Sequence, residues 1–214
     1  LGEMAEAGAI TTADEADADV IVVNTCGFLE AARAEAHEEI AAAVAQKRKG
    51  RCRRVVVAGC LVQRDGTKLL EAVPGIDALV GVHQRDDIVR ATVAGLANPS
   101  AKSRKRPAKP VDLFLGEYHP YVATDTARLR LTPQHYAYLR ISEGCNQKCT
   151  FCTIPSIRGP MHSKPMEAIL AEARELVSDG AVELNLIGQD TTSYGEDIGY
   201  DAGLAGLLRE LNRL

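Results

Sequence analysis

At 214 residues the chain has room for one large domain or two small ones, and 46% hydrophobic with 25% charged residues is ordinary globular composition. Lys and Arg total 25 against 29 Asp and Glu, which excludes a global electrostatic attraction to nucleic acid and leaves only local contacts. The opening LGEMAEAGAITTADEADADV has neither the basic nor the apolar region of a secretion signal, and no stretch reaches the roughly 18 apolar residues of a membrane span. A cytoplasmic chain with no membrane partner is expected, its six cysteines metal ligands or free thiols rather than disulfides.

Over residues 1–97, strand-like runs alternate with helical stripes. LGEMAEAG reads as a helix met midway, with a strand expected upstream. Val20 to Val23 reads as a strand, after which Leu29, Ala32, Ala36, Ile40 and Val44 share one helical face closed by Gly50. Val55 to Ala58 is the next strand, followed by helical Leu69, Leu70 and Val73. Ala78 to Val80 is a third strand, and Ile88, Val89, Val93 and Leu96 form a third stripe. This rhythm predicts an α/β fold with an open parallel βαβα sheet. Cys26 and Cys60 each sit at the carboxyl end of a strand, where open parallel sheets bind ligands, so the two thiols are expected to face one pocket. Cys52 precedes its strand and is expected to lie apart. Phe28 is the only aromatic residue before Phe114, so this half offers no platform for stacking bases.

The rhythm breaks over 98–134, which reads as a linker with two short candidate strands, Val111 to Leu115 and Leu129 to Leu131. Within it, Lys102 to Lys109 carries five positive charges and no negative one, a solvated linker face or a local contact for RNA phosphates.

A second βα rhythm occupies 135–214. The strand YAYLRIS leads into a cysteine loop, and Met166, Ile169, Leu170, Ala173, Leu176 and Val177 then recur at helical spacing, ended by Gly180. Val182 to Ile187 is a strand, and Leu204, Leu207, Leu208, Leu211 and Leu214 line a last helix. Two βα units are too few to close a barrel of about 250 residues, so a barrel only begun is expected here.

The loop EGCNQKCTFC places Cys145, Cys149 and Cys152 at C-x3-C-x2-C spacing. Three thiolates on so short a loop can serve one iron–sulfur cubane and leave one iron open to a small molecule, which points to catalysis. The alternatives are a zinc site with His135 or His162 as fourth ligand, although neither spacing is a usual finger spacing, or a non-catalytic metal-binding module. A loop directly after a strand places its metal at the carboxyl mouth, where βα loops gather substrate.

With Phe151 before the last cysteine, this loop resembles that of the radical S-adenosylmethionine superfamily. The resemblance implies a 4Fe-4S cluster whose open iron binds the amino and carboxylate groups of S-adenosylmethionine, with reductive cleavage giving a radical that abstracts hydrogen. It implies an adenine contact for Phe151, a methionine-ammonium contact for Gln189 and Asp190 in GQD, which departs from the superfamily's GEE-like motif, and a carboxylate contact for Arg158. Ser163 and Lys164 stand where relatives usually carry Ser-Arg; Lys keeps the charge but loses the bidentate fork.

NTCGF around Cys26, AGCLVQR around Cys60 and LRISEGCNQKCTFCTIPSIRG, in this order, resemble the methylthiotransferases over nearly the whole chain. That family implies a second, auxiliary 4Fe-4S cluster with Cys26 and Cys60 as two of its three ligands. The third would lie upstream of residue 1, so the chain as written is expected to lack a complete auxiliary site, most of the barrel and the family's C-terminal TRAM domain, and to be inactive alone. CTFCTIPSIRG and LIGQDTTSYG are more similar to the branch that modifies an aspartate of ribosomal protein S twelve than to the tRNA-adenosine branch, whose loops tend to read VPYTRG and GQN, with Asp190 the main discriminator. Partners implied are that ribosomal protein, a reductant and a sulfur donor.

Overall fold

The structure, a computed structural model, describes residues 1–93, 110–118, 125, 128–130 and 133–214. The chain divides into two compact units, Met4–Tyr118 and His119–Leu214 with Leu1–Glu3. The basic segment 102–109 and Leu96 lie outside the described residues.

In the first unit, after the short helix α1 (Gly2–Glu6), the β-branched run Val20–Thr25 forms β1. Helix α2 (Glu30–Lys49) follows, ended by Gly50, with Lys47, Arg48 and Lys49 in the last turn, where cations suit the negative end of the helix dipole. β2 (Arg54–Gly59) leads through the short helices α3 (Cys60–Asp65) and α4 (Lys68–Ala72) to β3 (Ala78–Val80), and α5 (Ile88–Val93) precedes β4 (Asp112–Phe114). The four strands are parallel in the order β1-β2-β3-β4, in register from Val20 opposite Arg54 to Thr25 opposite Gly59. Alternation along β2 divides the core. Val55 and Val57 pack with Ile40, Val44, Leu61 and Leu69 on one face, and Val56 packs with Val80, Ala91 and Phe114 on the other. Ile40 is fully buried, and full burial of a side chain of that size stabilises by about 1.5–3 kcal/mol.

β4 falls on the candidate strand Val111 to Leu115 within the segment read as a linker. Asp112–Phe114 is the fourth strand of the first sheet, with Ala78 opposite Asp112 and Val80 opposite Phe114. It is held there by the 3%-exposed Arg54, whose guanidinium donates to Asp112 Oδ2 and to the Ala91 carbonyl at 2.5 Å each. Of the other candidate strand, Leu129 and Arg130 form no strand, and Leu131 lies outside the described residues.

In the second unit, β5 (Tyr136–Arg140) pairs in parallel with β8 (Glu183–Ile187), Tyr136 opposite Glu183 and Arg140 opposite Ile187. Between them lie β6 (Ser142–Glu143), α6 (Ile154–Arg158), β7 (His162–Ser163) and α7 (Met166–Ser178). β6 and β7 form an antiparallel pair across the base of the cysteine loop. Helix α7 ends where Gly180, at φ 93°, turns the chain, and it buries Ile169, Ala173 and Leu176 against Leu139 and Ile141. α8 (Gly203–Leu211) adds Leu207 to the same core. No helix among the described residues is long and apolar enough to cross a membrane.

Candidate functional site

Two cysteine-bearing edges emerge, one in each unit. In the first, the pairing of Thr25 with Gly59 sets Cys26 and Cys60 side by side as the next residue of each chain. The approach is close: a Cβ on Gly27 would stand 2.7 Å from the Cys60 carbonyl oxygen, and one on Gly59, at φ 103°, would stand 2.6 Å from the Thr25 carbonyl oxygen. Only glycine fits either place. Cys26 is exposed and Cys60 half-buried. Cys52 lies before β2, buried in the core with its thiol directed to the Arg54 carbonyl at 3.3 Å.

In the second unit the loop from Cys145 to Cys152 leaves the carboxyl end of β5 through β6. Gly144, at φ 78°, starts it, because a side chain there would overlap the Pro160 and Gly159 carbonyls. One main-chain and one side-chain hydrogen bond close its base, with Cys145 N donating to Gly159 O at 3.2 Å and Met161 N to the Asn146 side-chain Oδ1 at 3.0 Å. Cys145 is buried, Cys152 half-buried and Cys149 exposed. The Sγ atoms of Cys145 and Cys152 each accept a backbone N–H, from Gln147 and Ile154, at 3.4 Å.

Among the described residues no three His, Cys, Asp or Glu side chains converge as ligands of a single ion. A cubane binds each thiolate through a different iron, so its ligands stand wider apart than those of one ion. The donor set fits that group: three thiols on one loop, two already stabilised by N–H donors, and the third free to adjust at the surface. Two orphaned hydroxyls, Ser142 Oγ before the loop and Thr153 Oγ1 after it, are buried without a hydrogen-bond partner.

Of the four expected cofactor residues, Phe151 lies on the loop itself, and Gln189, Asp190 and Arg158 bond to it or to the residues just before it. Phe151 is 80% exposed, so its ring is not core packing. Gln189 Oε1 accepts from Gly144 N at 2.8 Å. Asp190 accepts from Gln147 Nε2 at 2.9 Å, from the Thr192 and Ser193 hydroxyls at 2.8 and 3.0 Å, and from Ser193 N at 3.3 Å. The Gln147 hydrogen bond, foremost among these, outweighs partial burial and lowers the Asp190 carboxyl below its ordinary pKa. Arg158 donates to Glu143 Oε1 at 2.5 Å.

Arg158 is the first of seven groups that alternate in sign into the unit. Glu143 Oε2 accepts from Arg140 at 2.9 Å, and Arg140 holds both oxygens of Asp125 at 2.9 and 3.0 Å. Lys164, with its side chain 0% exposed, reaches Asp125 Oδ2 at 3.1 Å and both Glu172 oxygens at 2.7 Å, and Arg128 completes the series on Glu172 at 3.0 Å. Burial pushes the Asp125 carboxyl upward, but the Arg140 hydrogen bonds and the Arg140 and Lys164 charges overcome it and hold the group well below the usual carboxylate range. Burial likewise disfavours the charged Arg140, and Asp125 and Glu143 together reverse that and raise its pKa. Lys164 is therefore consumed inside the protein rather than offered to a ligand. Tyr194, buried and donating to the Lys164 carbonyl at 2.9 Å, has its phenol pushed up to about 12, mainly by burial.

Arg140, Glu143, Asp125, Gln147 and Glu172 were not legible as site residues in the sequence. Only Gln147, inside the cysteine motif, and Glu143, just before it, carried a signal, their place in or beside that motif.

Comparison with known proteins adds descent to this geometry. Residues 1–81 match the family described as uncharacterized protein family UPF0004, and residues 139–212 match the radical SAM superfamily. A protein named ribosomal protein uS12 methylthiotransferase RimO from Anaeromyxobacter sp. (strain K) is 42% identical over 214 residues, covering 100% of this chain and 43% of that protein. Its namesake from Trichlorobacter lovleyi is 40% identical over 99% of this chain and 45% of its own length. The chain thus spans less than half the length of the curated relatives it matches. Among solved structures, the radical S-adenosylmethionine methyltransferase TsrM from Kitasatospora setae shares the fold with a TM-score of 0.59 at 18% identity, over 93% of this chain and 41% of that one.

Proposed function

We propose that the chain belongs to the radical SAM methylthiotransferases of the RimO type, to whose members it is similar, and that it is the cluster-bearing part of an enzyme that adds a methylthio group to an aspartate of ribosomal protein uS12. The single observation that carries this reading is the clamped loop of Cys145, Cys149 and Cys152 beyond the carboxyl end of β5. These three thiolates would hold a 4Fe-4S cluster. When bound, that cluster supplies the electron that activates S-adenosylmethionine, chemistry that belongs to the cofactor. The chain's own residues bind, orient and shield: Gly144 and the β6-β7 pair fix the loop's base, and the exposed Phe151 ring offers a flat apolar surface to adenine. Gln189 bonds Gly144, Asp190 bonds Gln147 and Arg158 pairs with Glu143, so all three would lie close to a cofactor held by the loop.

Cys26 and Cys60, set side by side by the strand register, would supply two ligands of an auxiliary cluster that takes the sulfur to be inserted. Their thiols, exposed and half-buried, are reachable by a sulfur donor. A second S-adenosylmethionine would supply the methyl group, an external reductant the electron, and the cytoplasm the setting. Asp190, where the tRNA branch tends to carry Asn, favours the protein substrate over tRNA adenosine.

The test uses the full-length protein containing this chain, loaded with clusters and incubated anaerobically with reductant, sulfide and S-adenosylmethionine. Mass spectrometry of uS12 is expected to show a methylthio gain on one aspartate. The same gain on tRNA adenosine with uS12 untouched would move the protein to the other branch, and stoichiometric zinc without S-adenosylmethionine cleavage would make it a non-catalytic metal-binding module.

A further inference from the structure

Gln189 and Asp190 follow β8 at the place where an ammonium ligand is expected, yet each accepts a hydrogen bond from the cysteine loop or the residue that opens it. Gln189 Oε1 takes Gly144 N, and Asp190 Oδ2 takes the side-chain amide of Gln147, which lies between Cys145 and Cys149. Asp190 is itself aimed: Thr192 Oγ1 and Ser193 N bond its Oδ1, and Ser193 Oγ bonds its Oδ2, so the carboxylate is fixed before it meets Gln147. Ligands two residues to either side of Gln147 cannot move far once that amide is held. The second tie, to Gly144, pins the residue before Cys145.

We propose that Gln147 and Asp190 form a latch that, with the Gln189 tie to Gly144, holds the cysteine loop in its ligand-presenting shape, so that Asp190 acts on the cofactor through the loop rather than by touching it. This rests on the reading of the loop as a cluster site. It makes Gln147 and Asp190 positioning residues. The latch requires a donor facing an acceptor, and its chemistry can be inverted. Gln147→Glu opposes two carboxylates and breaks it. Adding Asp190→Asn lets the asparagine amide donate to the new carboxylate and restores it at the wild-type net charge. Asp190→Asn alone is tolerated, because the Gln147 amide can rotate to accept.

The experiment is amide hydrogen exchange across residues 144–152 in the iron-free chain, followed by iron release from the loaded chain to a ferrous chelator and by S-adenosylmethionine binding. Gln147→Glu is expected to speed exchange about tenfold, the scale of one lost hydrogen bond to a charged group, and the double variant to return to wild type. Iron release should follow the same order. Failure of the double variant to recover, or a Gln147→Glu chain that exchanges like wild type, overturns the latch. So does an Asp190→Asn chain that exchanges normally but loses S-adenosylmethionine affinity, which would mark a direct cofactor contact. A wild-type loop that takes up no iron would sink the cluster reading instead, while hydrogen exchange would still decide the latch.

Discussion

The two cysteine-bearing edges are built by different physics. Cys26 and Cys60 are neighbours because two parallel strands end in register and two glycines let the backbones approach, so their placement follows from main-chain pairing and a hydrophobic core. Cys145, Cys149 and Cys152 ride on a loop whose shape depends on side chains: an amide and a carboxylate from the β8 end, and a series of buried charges reaching from Arg158 to Arg128. A sheet edge needs little polar support. A loop that must present three thiolates to one group needs its polar partners to be matched one for one, and each mismatch there is costly.

Substitutions that separate these two modes of support sharpen the contrast. The largest effect belongs to Cys145→Ala, which removes the buried ligand and is expected to abolish iron uptake by the loop while the far-ultraviolet circular dichroism of the chain is unchanged. Retention of full iron content would contradict the assignment.

Next is Asp125→Asn. It leaves the buried Lys164 and the Arg140 guanidinium facing a neutral group and is expected to destabilise the second unit by about 3–5 kcal/mol, measured by denaturant unfolding of that unit. Asp125 also sets an acid limit. Its folded pKa is depressed below the unfolded value, so the stabilisation is complete above about pH 4 and is lost as pH falls toward the folded pKa. A chain carrying Asp125→Asn should lose that part of the acid dependence, whereas an unchanged acid limb would assign it to other carboxylates.

Gly27→Ala probes the other edge. Its new methyl group would press on the Cys60 carbonyl, and a loss of about 1–3 kcal/mol confined to the first unit is expected. Thermal melting that leaves the second unit unaffected would agree with independent support, and a loss shared by both units would break the comparison. At the small end, Arg51 pairs with Asp19 at 3.1 Å on the surface, and Arg51→Ala should melt like wild type.

Legibility in the sequence followed the same division. Strands β1, β2 and β3 and the helices α2, α7 and α8 announce themselves through β-branched runs and apolar spacing, and the place of Cys26 and Cys60 at strand ends follows from that pattern alone. β4 showed only as the short candidate Val111 to Leu115, with too few residues to tell that it joins the first sheet, and its anchor, Arg54, reads as one more basic residue after Arg53. The cysteine spacing exposed the loop. Its supports could not be seen, since a lone Asp125 in a polar stretch, a Lys164 that looks available for a ligand, and a Glu172 on α7 become a buried network only when the chain folds. Hydrophobic patterning is periodic and local, whereas charge pairing across 15 to 44 residues leaves no local trace.

The most direct measurement is metal analysis and electron paramagnetic resonance of the full-length protein containing this chain and carrying Cys26→Ala and Cys60→Ala, reconstituted anaerobically with iron and sulfide, reduced, and examined with and without S-adenosylmethionine. The account predicts about four irons per chain, as one cubane requires, and a reduced-cluster signal that changes when S-adenosylmethionine is added. Stoichiometric zinc, or a full cluster whose signal ignores S-adenosylmethionine, would contradict it.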